Sequence, residues 1–75
     1  MSAAVELTDL EWDHADAVSE ALRDIPESPS VIARRAHLPY WDAYRALCSL
    51  EQMRMCVGAG NGSWRKYRLR RFGEG

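Results

Sequence analysis

From Trp12 onward, the apolar residues Ala15, Val18, Ala21, Leu22 and Ile25 recur three or four positions apart. That spacing places them on one face of a helix. Thr8-Asp9-Leu10-Glu11 precedes the run as a capping box, with Glu11 at the third helical position. Asp9, Glu11 and Asp13 crowd the first turn, where carboxylates favour the positive end of the helix dipole. The pattern predicts a helix running to just before Pro26, because a residue preceding proline is pushed out of helical geometry. Trp12 is expected in the core.

Glu27-Ser28-Pro29-Ser30 reads as a short turn. Ser28 or Ser30 is expected to cap a second helix, with Pro29 tolerated in its first turn. Ile32, Ala33 and Ala36 give this short helix a narrow apolar side, and Arg34 and Arg35 are expected to face out. His37-Leu38-Pro39 ends it, with Leu38 as the apolar plug of the turn. Pro39 then opens a third helix with an inward stripe of Ala43, Ala46, Leu47 and Leu50. Tyr40, Trp41, Tyr44, Arg45 and Ser49 project elsewhere, and the pattern fades between Gln52 and Arg54.

Beyond residue 54 the period changes from helical to alternating. Met55 to Val57 is a short apolar stretch, and Gly58-Ala59-Gly60-Asn61-Gly62 reads as a hairpin tip. From Ser63 to Phe72, Tyr67 and Leu69 fall on one face and Trp64, Lys66, Arg68 and Arg70 on the other. Apolar in and basic out is the pattern of a half-exposed strand. Trp64 either flanks the hairpin or packs upon it.

With 75 residues, the chain is expected to form one domain over residues 9–72, between tails at 1–8 and 73–75. So small a core makes dimerisation a common rescue. No apolar run approaches the roughly 18 residues of a membrane span. The segment Met1 to Val5 lacks the basic start of a secretory signal. A cytoplasmic protein without membrane contact is expected.

Cys48 and Cys56 make no disulfide framework, and reduced thiols are expected. Together with His14 and His37 they match no zinc-ligand spacing, so neither a metal nor a cofactor is expected. The chain carries no Walker-type phosphate loop and no Ser/His/Asp set, and it is too short for a deep pocket. An enzyme and a small-molecule ligand are both unexpected.

Charge divides along the chain. Residues 1–30 hold eight acidic side chains and one basic one, Arg23, while residues 31–75 hold nine basic ones against Asp42, Glu51 and Glu74. The net charge of −1 conceals a basic half suited to a local anionic contact.

The order of helix, short helix, tight turn, longer helix and glycine-rich hairpin resembles a winged helix-turn-helix domain. Ala33 matches the small residue within the first helix of the motif, and Leu38 the apolar residue after its turn. Ala43, Leu47 and Leu50 match the recognition-helix stripe, and Gly58 to Gly62 the wing tip. His37 stands where the family usually carries glycine, so a positive φ there would cost strain. The resemblance implies a mainly α fold of three helices with a C-terminal β-hairpin wing. It also implies sequence-specific binding of double-stranded DNA by a transcriptional regulator that is often a homodimer. In that family the third helix enters the major groove, and the wing touches phosphates or the minor groove. Transferred to this chain, Tyr40, Trp41, Tyr44 and Arg45 would meet base edges. Arg34, Arg35, Arg65, Lys66, Arg68 and Arg70 would contact the phosphate backbone. The small size suits a phage, plasmid or other prokaryotic regulator. The rival expectation is a protein-binding adaptor that docks its partner on Tyr40, Trp41 and Tyr44, because aromatics of that kind also anchor protein interfaces.

Overall fold

The computed structural model describes residues 9–70. Thr8 of the capping box, both expected tails and the end of the expected strand lie outside them. Three helices and a two-stranded antiparallel hairpin follow one another: α1 (Asp9–Ala21), α2 (Pro29–Ala36), α3 (Tyr40–Gln52), β1 (Cys56–Ala59) and β2 (Lys66–Leu69). The fold is mainly α, with the helix order, hairpin and connections compatible with a winged-helix-like layout. Among the described residues, no helix is long and apolar enough to cross a membrane.

The core joins all these elements. Ala15, Val18, Ala21 and Leu22 pack with Ile32 and Ala33, with the α3 stripe Ala43, Ala46, Leu47 and Leu50, and with Cys56 and Tyr67. Leu38 packs against this cluster from the α2–α3 turn, as its plug role requires.

Two expectations for the first helix are corrected. Trp12 is 44% exposed and Ile25 61%. Trp12 sits on the flank of the Ala15–Val18–Leu22 face rather than on it, because successive residues advance about 100° around a helix. Ile25 falls beyond the helix, which ends at Ala21, before the position that Pro26 alone would set. The chain leaves the helix early because residues 23–27 run beside β2. Leu69 N–H donates to Arg23 O at 2.8 Å, and Glu27 and Tyr67 exchange N–H···O bonds of 2.8 and 3.0 Å. The expected turn at Glu27 is thus in part an extra edge on the sheet.

Ser28 occupies the N-cap position of α2 and Pro29 its first turn, but the Ser28 side chain makes no capping bond. Both α2 and α3 end in a left-handed residue. His37 has φ 59° and Arg54 φ 60°. In each case the following amide reaches back five residues, Leu38 N–H to Ala33 O at 3.0 Å and Met55 N–H to Leu50 O at 2.8 Å. This closure is usually made by glycine, because a side chain there meets the neighbouring carbonyl. His37→Gly and Arg54→Gly are each expected to raise stability by roughly 0.5–1 kcal/mol. Urea denaturation followed by circular dichroism measures this, and a lower midpoint in either variant contradicts it.

The hairpin tip is shifted from its expected place. Gly58 is not in the tip but inside β1, opposite Tyr67. A Cβ there would lie 2.8 Å from both the Tyr67 ring and the Arg65 guanidinium, so glycine serves close packing rather than a turn. The Asn-Gly pair does not form a two-residue turn either. Asn61 is extended, with φ −121°, and precedes a 3-10 turn over Gly62–Trp64.

Candidate nucleic-acid interface

The outer face of α3 begins with three aromatic rings at positions i, i+1 and i+4. Tyr40 and Trp41 meet edge-to-face, with centroids 5.1 Å apart, and Trp41 and Tyr44 likewise at 5.8 Å. Tyr40 and Tyr44 lie nearly parallel at 6.2 Å. These separations favour mutual attraction of the rings, so the three form one interlocked block. Trp41 is 65% exposed, Tyr40 is exposed and Tyr44 half-buried. Trp41 therefore takes no part in the core.

Arg45 and Asp42 sit on another flank of α3. With Leu10, Glu11, His14, Ala46 and Ser49 they line an open groove of about 290 Å³ against α1. Two carboxylates, Glu11 and Asp42, therefore accompany the single guanidinium of Arg45 there. The carboxylate at the front of α3 lies on the α1 side, not within the aromatic block. Arg45 is exposed but belongs to this acidic groove rather than standing with the three rings.

The expected phosphate contacts divide into two kinds. Arg34 and Lys66 are exposed, as an outward cation must be. Arg35 is not outward, and its placement is a correction. Its guanidinium grips the Glu27 carboxylate in two bonds of 2.8 and 2.7 Å and donates to Ala21 O at 2.6 Å. One side chain thus ties α2 to the end of α1 and to the edge segment. Arg35 stands three positions after buried Ile32, on the flank of the inward face, while Arg34 points the opposite way.

Arg65 is the second correction. It donates to the Glu51 carboxylate at the end of α3 and to Gly60 O at 3.1 Å, and it lies 5.5 Å from the Tyr67 ring centroid. The alternation that sends Lys66 outward puts Arg65 on the inward face with Tyr67 and Leu69, and that parity was visible in the sequence. Arg68 is half-buried and donates to Leu69 O at 3.0 Å. Arg70 is exposed and donates to Arg54 O at 3.1 Å.

Electrostatics follows these contacts. The hydrogen bonds from Arg35, and then its charge and that of Arg23, hold the Glu27 carboxyl below its ordinary 4.5 against the opposing effect of burial. A carboxylate whose folded pKa is depressed adds stability above its unfolded pKa, and that stability disappears as pH falls through the folded value. Between about pH 5 and pH 2 the wild type is expected to lose stability more steeply than Glu27→Gln, which has no proton to take up at this site. Urea midpoints across that range measure the difference, and parallel acid limbs contradict it. Burial pushes the Cys56 thiol up to about 12. It is buried against α3, 3.7 Å from Leu47 O, and is therefore a protonated core thiol at neutral pH. Cys48 is also free.

One exposed residue was left open by the sequence. Trp64, at the end of the 3-10 turn, is 82% exposed, so it does not pack on the hairpin. Strand alternation alone cannot show this, because Trp64 precedes β2 and its direction is set by the turn.

No protein-family model, no curated protein and no solved structure matches this chain.

Proposed function

We propose that the chain is a small winged helix-turn-helix domain that binds duplex DNA and regulates transcription, acting as a homodimer in the cytoplasm and without enzymatic activity. The observation that carries this reading is the distribution of exposed groups. The acidic side chains concentrate on α1 and its groove. Arg34, the α3 aromatic block, Lys66 and Arg70 occupy the elements that a winged helix presents to DNA. An α-helix fits the major groove and offers its N-terminal side chains to base edges. In this reading Tyr40, Trp41 and Tyr44 provide apolar contact with bases, while Arg34, Lys66, Arg68 and Arg70 fix the register on phosphates. Arg35 and Arg65 support it indirectly, by holding α2 and the hairpin in place. Titration of a labelled random-sequence duplex at low salt tests the reading, and no binding there contradicts it.

A second reading is favoured by the interlocking of the three rings. Such a rigid, exposed aromatic block also suits the centre of a protein interface. If Trp41→Ala abolishes a protein complex or a dimer and leaves duplex affinity unchanged, the block belongs to that interface.

A further inference from the structure

Trp64 is the most exposed large apolar side chain among the described residues, at 82%. Its backbone is nevertheless held firmly. Trp64 N–H donates to Asn61 O at 3.0 Å and Arg65 N–H to Gly62 O at 3.2 Å. The Trp64 carbonyl oxygen packs so closely on Gly60 that a Cβ there would stand 3.0 Å away. The next residue, Arg65, is clamped to Gly60 O, to the Tyr67 ring and to Glu51 on α3. A large indole is thus presented to water from a tied base, and nothing in the packing of the domain requires it there.

The charges near it along the chain indicate what would cover it. Every charged residue between Glu51 and Glu74 is basic: Arg54, Arg65, Lys66, Arg68, Arg70 and Arg71. The residues before it in the turn, Gly60, Asn61 and Gly62, offer no further apolar side chain. A membrane-surface anchor needs a broad apolar face, whereas a single exposed ring two residues from the exposed Lys66, in a segment whose charges are basic, suits a polyanion with flat apolar plates inside it.

We propose that Trp64 is a wedge that stacks on a nucleic-acid base and partly opens one base step, with Lys66 beside it on the phosphates. This rests on the duplex-DNA reading and adds to it a preference for readily unstacked sites. Pyrimidine–purine steps such as TA unstack most easily, whereas A-tracts are stiff. Because the Trp64 backbone is already tied on both sides, only the rotamer freedom of the indole itself remains to oppose insertion.

The test uses the full chain carrying Trp12→Phe and Trp41→Phe, both at exposed positions, so that Trp64 is the sole indole. A TA-containing duplex is titrated while DNA anisotropy, Trp64 emission and its accessibility to acrylamide are followed. The expected result is quenching and protection of Trp64 in step with the anisotropy. In the otherwise unchanged protein, Trp64→Ala is expected to weaken binding about tenfold, the scale of one lost base stack, and Trp64→Phe to recover most of it. Saturating anisotropy with unchanged Trp64 emission and accessibility overturns the wedge and leaves the DNA reading standing, as does full affinity in Trp64→Ala. Absence of duplex binding by the unaltered chain overturns both. Protection of Trp64 by anionic vesicles but not by DNA overturns the wedge and assigns the tip to a membrane surface.

Discussion

Tyr67→Ala is expected to remove a large share of the domain's stability. Tyr67 is 1% exposed and among the largest fully buried side chains. Truncating a buried aromatic costs about 3–5 kcal/mol, and a domain of this size holds only roughly 4–11 kcal/mol in total. The loss is concentrated where several elements meet. The Tyr67 ring lies against Gly58 and under the Arg65 guanidinium, and its backbone pairs with Glu27. Removing the ring therefore loosens β1, the edge segment and the clamp to α3 together. Tyr67→Phe keeps the ring and is expected to remain folded. Urea denaturation by circular dichroism separates the two, and a midpoint for Tyr67→Ala close to that of the wild type contradicts this view of the core.

The second large effect concerns the cations. Replacing Arg34, Lys66, Arg68 and Arg70 together by alanine is expected to weaken duplex binding by on the order of 10²–10³ at low salt, since each phosphate contact releases a condensed counterion. The urea midpoint is expected to move less than in Arg35→Ala or Arg65→Ala, because the arginine–carboxylate ion pairs Arg35–Glu27 and Arg65–Glu51 are left in place. Arg35→Ala and Arg65→Ala are expected to show the reverse pattern. Each leaves a half-buried carboxylate, Glu27 or Glu51, without its partner, so stability falls, and DNA affinity falls only as far as unfolding requires. If Arg35→Ala leaves the midpoint unchanged and removes binding, the division into structural and DNA-facing arginines is wrong.

That division marks where the sequence ceased to be legible. The α3 stripe, the Leu38 plug and the left-handed His37 follow from local spacing and turn chemistry, which act over a few residues, and all are found in the structure. The fates of Arg35 and Arg65 depend on Glu27 and Glu51, eight and fourteen residues away, and no periodic pattern pairs such positions. Parity nevertheless gave a warning for Arg65, because it shares a strand face with Tyr67. The early end of α1 has a similar origin. Pro26 sets a limit from within the local sequence, but the pairing of residues 23–27 with β2 is a long-range event. Gly58 looked like turn chemistry because it neighbours Gly60 and Gly62, yet its role is set by the ring and guanidinium packed against it. At the candidate interface, the type of side chain was legible and its direction was not. Arg45 and Asp42 share α3 with Trp41 but line the groove beside α1.

The polarity of the domain remains the central claim. Acidic groups lie on α1 and its groove, and the exposed aromatics and cations lie on the elements proposed to meet DNA. Its most direct test is the salt dependence of duplex binding. With Arg34, Lys66, Arg68 and Arg70 engaged, the logarithm of the binding constant is expected to fall against the logarithm of salt concentration with a slope of about −4 per protomer bound, and the quadruple alanine variant should flatten it by about that amount. No binding at low salt, or a slope near zero in the wild type, would contradict it.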